Sequence, residues 1–220
     1  MPNCFQVGSK LLGSRDKFFN RLCWCLLEAV QLLSEQKASS VVLCSEGCWL
    51  GFMQKEGIDY NEVFAPVSKH ITLRTLLALA AAEDMELHQL DIKTAFLNGD
   101  LEETIYIKQP EGYAEGGPSM VCRLRKSLYG LKQASRAGNT RLKQELESMG
   151  FTASGADAGL FTAQYKGSNI YILVYVDDIL VAAKNLADIN YVKARLRAIF
   201  DVKDLGEAKY FEVLLRHEFG

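Results

Sequence analysis

The segment from Ile170 to Ala183 places the tightest constraint on how this chain folds. It is apolar and β-forming throughout, except at Asp177 and Asp178. An ionised carboxylate in apolar surroundings is costly unless a cation or donors compensate it. A hairpin with Asp177 and Asp178 at its tip resolves the conflict: both strands bury apolar faces while the tip presents two acids. A third acid, Asp91, closes another apolar segment, Leu87 to Ile92. Three carboxylates brought together by two β-elements are a donor set suited to two Mg²⁺ ions and phosphoryl transfer. The Asp pair also fits a plain polar turn, since Asp favours turns. Asp-Asp lacks the glycine usual in two-residue hairpin loops, however, so Val176 and Asp177 have to accept a strained backbone. Such strain clusters at functional sites.

The remaining composition is that of an ordinary globular protein, 49% apolar and 24% charged over 220 residues, enough for one large domain or two lobes. A net charge of −2 creates no global field for nucleic acid. Charge is nevertheless uneven. Between Val121 and Lys143 lie Arg123, Arg125, Lys126, Lys132, Arg136, Arg141 and Lys143, with no acid among them. The window reads either as a solvated face or as a stripe tracking a phosphate backbone. Six cysteines without a CxxC pair, and three histidines far from them in sequence, argue against zinc and for reduced intracellular thiols. No apolar run reaches membrane-spanning length, and the N-terminal basic residues lead into an amphipathic pattern rather than a signal peptide. The expectation is therefore an intracellular protein, cytoplasmic, nuclear or both, with no membrane partner.

Periodicity predicts helices over residues 16–36, 71–83, 135–149 and from Asn185 onward. It predicts strands over 41–43, 85–92, 104–108, 121–124 and 160–165, a hairpin over 170–183, and a Gly/Pro-rich turn region over 110–118. Ser135 is the expected cap of the third helix, and Gly150 its stop. This order predicts an α+β fold with a mainly antiparallel sheet flanked by helices.

Several ordered stretches carry a family resemblance. They are Gln54-Lys55-Glu56-Gly57-Ile58-Asp59-Tyr60, Val63-Phe64-Ala65-Pro66-Val67, the Leu90–Gly99 segment, Ser127-Leu128-Tyr129-Gly130-Leu131-Lys132-Gln133-Ala134, Leu173–Asp178 and Asp204-Leu205-Gly206. Over about 160 residues, 51–210, the chain resembles the reverse transcriptase domain of copia-type retrotransposons. The resemblance implies a right-hand polymerase, fingers and palm, acting as an RNA-directed DNA polymerase on an RNA or DNA template–primer with dNTP. Asp91, Asp177 and Asp178 match the family's catalytic and metal-holding carboxylates, for two Mg²⁺ with Mn²⁺ as substitute. Phe96 matches an aromatic that lies beneath the sugar and excludes a 2′-hydroxyl; taken alone it reads as a core Phe. Ile92, Tyr129 and Gly130 fall in the nucleotide-binding stretches. Lys132, Gln133, Arg136 and Arg141 are the expected nucleic-acid contacts, which position without specifying sequence.

Three features depart from the family pattern. The stretch before Gln54 is normally basic, yet here no Lys or Arg lies between Ser39 and Gln54. Gly138 stands where the family usually carries a Trp. The stretch after Tyr210 diverges from the primer-gripping pattern, and the chain reaches Gly220 without a thumb. The expected organisation is an unmatched segment with degraded fingers over 1–50, the polymerase unit over 51–210, and a diverged, truncated end over 211–220. Two functional classes stay open: a polymerase domain fragment, or a catalytically silent relic that folds and at most binds nucleic acid.

Overall fold

The computed structural model describes residues 54–108 and 120–208, together with the backbone of three short strands. Those strands are β1 (Val30–Ser34), β2 (Cys44–Ser45) and β3 (Cys48–Trp49). The main body runs α1 (His70–Ala82), β4 (Glu86–Ile92), a 3₁₀ turn (Ala95–Asn98), β5 (Tyr106–Lys108), β6 (Met120–Leu124) and α2 (Ala134–Ser148). It continues through β7 (Thr152–Ala153), β8 (Leu160–Tyr165), β9 (Ser168–Tyr175), β10 (Asp178–Ala183), α3 (Leu186–Arg197) and β11 (Val202–Glu207). The class is α+β, as expected.

The principal sheet has six strands in the order β11-β4-β10-β9-β8-β7, every neighbouring pair antiparallel. Its centre explains why the strands on either side of Asp177-Asp178 are apolar at nearly every position. One face of β9 and β10, with Ile172, Val174, Ile179 and Val181, packs on Leu142 and Leu146 of α2 and on Ile189, Val192 and Leu196 of α3. The other face, with Leu173, Leu180 and Ala182, packs on Leu73 and Leu76 of α1. A strand covered on both sides has no reason to alternate. Each fully buried Leu or Ile here is worth about 1.5–3 kcal/mol of transfer free energy. A second sheet, β1-β6-β5, encloses its own core of Ile105, Ile107, Cys122, Leu124 and Leu128.

Several expectations on secondary structure are revised. The helix expected over 16–36 ends differently: Val30–Ser34 pairs with β6 from Val30↔Leu124 to Ser34↔Met120. A neighbouring strand edge supplies backbone bonds that local periodicity cannot anticipate. The rest of that helix, the strand at 41–43, the turn region at 110–118 and the end beyond 208 lie outside the described residues. Ser135 is not the cap of α2; Gln133 precedes the helix and makes no side-chain cap bond. Gly150, at φ +90°, does end it, with the Phe151 N–H returning to the Leu146 carbonyl at 3.0 Å. β11 was not expected from the sequence at all. Helix α1 is capped from afar: Asp157, in the β7–β8 loop, accepts from the Lys69 N–H (2.8 Å) and the Thr72 hydroxyl.

β11 is clamped to α3 by charge. Asp204 takes Lys193 at 3.0 Å and Arg197 at 2.9 Å, and Gly206, at φ +78°, turns its N–H back onto Asp204. The buried Lys193 also reaches His88 Nδ1 at 2.7 Å. That bond requires a lone pair, so the His88 proton sits on Nε2, which is buried with no partner. Burial, then the Lys193 charge, holds His88 below its ordinary range, against the opposing pull of Asp204, Glu86 and Glu207. The unfolded chain therefore binds a proton near pH 6.5 that the native chain refuses. The contribution from His88 is complete above pH 6.5 and lost as pH falls below it. The urea midpoint is expected to drop between pH 7.5 and 5.5, and less so in His88→Leu. A wild-type midpoint that holds or rises over that interval, relative to the variant, would contradict this.

Candidate active site

The acids come together through register. Asp178 stands directly opposite Asp91, and the Ile92 N–H donates to the Asp177 carbonyl at 2.9 Å. That bond identifies Asp91–Asp178 as a non-hydrogen-bonded pair, the kind whose Cα atoms approach to about 4.5 Å with side chains on one face. Two like charges in that position repel. The hairpin tip is Val176-Asp177, since Tyr175 pairs with Asp178. Val176 is held at φ +57°, a conformation that a β-branched residue adopts only under constraint. Of the two residues expected to be strained, Val176 alone takes the left-handed conformation and Asp177 does not.

The electrostatics follow. Burial pushes the Asp177 carboxyl up, and the charges of Asp91 and Asp178 push it further. Asp177 Oδ1 is buried and lacks any hydrogen-bond partner. Burial also raises Asp178, with Asp91 adding to it, while Gln89 Nε2 donates to Asp178 Oδ1 at 3.2 Å and opposes the rise. An all-oxygen set with an unpartnered buried acceptor suits a hard divalent cation. The carboxylates are not gathered into a closed cage, however: among the described residues no three His, Cys, Asp or Glu side chains converge as a metal-ligand group.

Beside the acids stands an aromatic pair. Phe96, on the 3₁₀ turn, meets Tyr129 edge to face, ring centroids 5.1 Å apart. The Tyr129 hydroxyl is pushed up by burial and then by Asp177 and Asp91, which places it in the same electrostatic neighbourhood. Tyr129 and Gly130 are the central residues of a turn closed by the Leu131 N–H on the Leu128 carbonyl, with Gly130 at φ +93°, where glycine is at ease.

A profile of the family described as reverse transcriptase (RNA-dependent DNA polymerase) aligns with residues 33–216. The chain belongs to this family. The relatives specify the copia-type branch. The reverse transcriptase domain is 47% identical over 161 residues to the retrovirus-related Pol polyprotein from transposon TNT 1-94 of Nicotiana tabacum, covering 72% of this chain and 12% of that protein. It is 41% identical over 162 residues to the polyprotein from transposon RE1 of Arabidopsis thaliana, covering 73% and 11%. With the transposon Ty1-BL Gag-Pol polyprotein of Saccharomyces cerevisiae it shares 32% over 141 residues, covering 63% and 8%. The chain thus spans about an eighth or less of these relatives' length.

The other expected site residues of this reverse transcriptase domain divide. Ile92 is 2% exposed and its side chain lies in the core, on the face opposite Asp91, while its N–H is engaged by Asp177. Strand alternation gives its side chain a packing role. Gln133 is likewise 2% exposed and engaged internally, donating to the Asp59 carbonyl at 2.9 Å. Lys132 is exposed but its ammonium bonds the Tyr60 hydroxyl at 3.1 Å and lies 4.9 Å over that ring. Arg136 faces Glu102 at 4.0 Å, Arg141 pairs with Glu145, and Lys143 lies 3.8 Å from Glu147. The window that is acid-free in sequence is therefore not acid-free in space.

Two neighbours of the acids escaped sequence reasoning. Gln89 sits two residues before Asp91 on the same face, and its i−2 spacing was the available signal. Lys203 is exposed on β11 directly opposite Asp91. Nothing short of the β11–β4 register could have placed it there. Among the described residues no helix is long and apolar enough to cross a membrane.

Proposed function

We propose that this domain is a fingers–palm unit that catalyses nucleotidyl transfer, RNA-directed DNA synthesis on a template–primer. The observation that carries the reading is the Asp91–Asp178 cross-strand pair beside the unpartnered Asp177 Oδ1. Such an arrangement destabilises a protein with no use for it, because like charges directly opposite cost free energy. Asp91 and Asp177, with Asp178 in support, would hold two Mg²⁺ ions, which when bound supply charge neutralisation and Lewis acidity for phosphoryl transfer. The chain's own groups then position the reactants. Phe96 and Tyr129 form a wall beside the acids, and in this reading Phe96 would clash with a 2′-hydroxyl. Lys203, opposite Asp91, offers a cation to phosphate on the same face. Arg136 and Arg141 contact nucleic acid only by exchanging their present carboxylate partners for phosphate, so binding is weak and sensitive to salt.

A second reading, a silent relic, is favoured by the sequence before Gln54. No cation lies between Ser39 and Gln54 to meet a triphosphate, and each missing charge-assisted hydrogen bond costs roughly 1.5–3 kcal/mol. The deciding measurement is single-nucleotide incorporation on an RNA template with Mg²⁺ or Mn²⁺. Incorporation is expected to be detectable but several decades below an ordinary turnover of about 1 per second or more. Replacing Ser45 to Leu50 by a Lys/Arg-containing segment is expected to recover part of it. Ordinary turnover in the unaltered chain would remove the relic reading; no incorporation under any condition, with the segment replaced as well, would remove the polymerase reading.

A further inference from the structure

Two sequence stretches 75 residues or so apart, Gln54–Tyr60 and Ser127–Ala134, are interlocked by buried amides. Gln54 is 4% exposed, an uncommon burial for an uncharged amide unless its hydrogen bonds are satisfied. Its Oε1 accepts from the Lys132 backbone N–H at 2.8 Å, and its Nε2 donates to Gln133 Oε1 at 2.9 Å. Gln133 passes the connection on, donating to the Asp59 carbonyl at 2.9 Å. The loop around Asp59 is itself closed, since the Asp59 carboxylate accepts from the Lys55 N–H at 2.8 Å and the Gly57 N–H reaches the Tyr60 carbonyl at 2.9 Å. Outside this buried chain, Lys132 grips Tyr60 through the hydroxyl and the ring face.

We propose that Gln54 and Gln133 are positioning residues for the nucleotide wall: they latch the 54–60 segment onto the Leu128–Leu131 turn and so hold the Tyr129 ring against Phe96. The geometry runs in one direction. Lys132 follows the turn directly, and its N–H is held by a side chain from another part of the molecule. The turn carries Tyr129, whose ring meets Phe96 edge to face and packs against the second core. An amide pair suits this work because each partner offers both a donor and an acceptor, so one buried chain of bonds satisfies Lys132, Gln54, Gln133 and Asp59 together. Breaking one link strands the others. Neither glutamine touches the acids, and both act through the turn. The proposal rests on the polymerase reading for its consequence, weaker nucleotide binding, but the latch itself is measurable without activity.

The experiment compares the wild-type chain with Gln54→Met, which removes the acceptor for Lys132, and Gln54→Glu, which keeps an acceptor there and loses the donor to Gln133. Amide hydrogen exchange is followed at Lys132 and at β9 and β10. In parallel, dGTP with Mg²⁺ is titrated against the protein on a template–primer with dC next in line. Gln54→Met is expected to speed exchange at Lys132 by about 10-fold or more with β9 and β10 unchanged. It is expected to weaken dGTP by about 5- to 10-fold, with the maximal incorporation rate moving less. Gln54→Glu is expected to retain most of the Lys132 protection. Unchanged exchange at Lys132 in Gln54→Met, in a chain that binds dGTP, overturns the latch alone. A loosened turn with undiminished dGTP affinity reduces the glutamines to scaffold and overturns the positioning role. A wild-type chain that takes no dGTP overturns the polymerase reading, and this proposal with it.

Discussion

Asp177→Asn is expected to abolish Mg²⁺-dependent incorporation and, with no divalent ion present, to make the protein more stable. The two effects have one cause. Asp177 is half-buried, strained into place by Val176 at φ +57°, set beside two other acids, and left with an unpartnered Oδ1. In the absence of a cation this is repulsion without compensation, and an amide removes the charge while keeping the shape. A like-charge contact of this kind is worth roughly 0.2–1 kcal/mol, so the variant gains about that much in EDTA. With Mg²⁺ the sign reverses. Binding to the native state stabilises it by mass action, and the variant, lacking a ligand, gains less. Loss of a carboxylate that holds the ion costs on the order of 10³-fold or more in incorporation, which is about 4 kcal/mol of transition-state stabilisation. Urea midpoints of both chains in EDTA and in Mg²⁺, beside single-nucleotide incorporation, give the four numbers required. Persisting incorporation in the variant would exclude a metal role for Asp177. A variant less stable than wild type in EDTA would show instead that the carboxylate is structural.

Gly138→Trp is expected to destabilise the domain by about 3 kcal/mol or more, although Trp is the residue that the family resemblance places there. Gly138 lies in the middle of α2 at the point where the helix crosses the 3₁₀ turn carrying Phe96. A Cβ at Gly138 would stand 2.9 Å from the Ala95 carbonyl oxygen and 3.2 Å from the Phe96 Cα. From the other side, a Cβ on Gly99 would overlap the Ala137 carbonyl carbon. Two glycines thus let helix and turn touch backbone to backbone, and neither contact can yield by a side-chain rotation. Inserting atoms into such packing costs about 1–3 kcal/mol even for small increments, and an indole is a large one. Glycine within a helix is normally a penalty of about 1 kcal/mol relative to alanine, which is the sense in which the sequence presents Gly138 as a defect. In the folded chain the close approach outweighs that penalty. Thermal unfolding of Gly138→Ala and Gly138→Trp checks this, with a graded loss expected. A Trp variant more stable than wild type would mean that α2 has room to withdraw and that the glycine is indeed a loss.

These cases show where sequence reasoning holds. Helices α1, α2 and α3, strands β4, β6 and β8, and the β9–β10 hairpin are legible because each is written in local periodicity and punctuation. Apolar residues recur at helical spacing in 71–83 and 135–149, Gly150 ends a helix, and an apolar run interrupted by Asp-Asp folds back on itself. The strain at the glycine-free tip was legible for the same reason, since turn stereochemistry is a property of two residues. β1 was not, because Val30–Ser34 suits a helix face as well as a strand and its partner β6 lies about 90 residues away. β11 was not, because Val202–Glu207 finds its backbone partners only in β4, far earlier in the chain.

The site divides along the same line. Sequence alone determined which residues are acids, that Asp177 and Asp178 must sit at a hairpin end, and that Asp91 ends a buried strand. Side-chain chemistry and the period of a strand are local quantities, so they can be read from the chain in order. Only the tertiary structure decided that β4 lies between β10 and β11, and hence that Asp91 faces Asp178 on one side and Lys203 on the other. It also decided that Ile92 and Gln133 turn inward, and that Arg136, Arg141 and Lys143 meet Glu102, Glu145 and Glu147. Which strand edge pairs with which, and which charge finds which, depends on backbone hydrogen bonds and packing between segments far apart in the chain. No spacing within either segment encodes that choice.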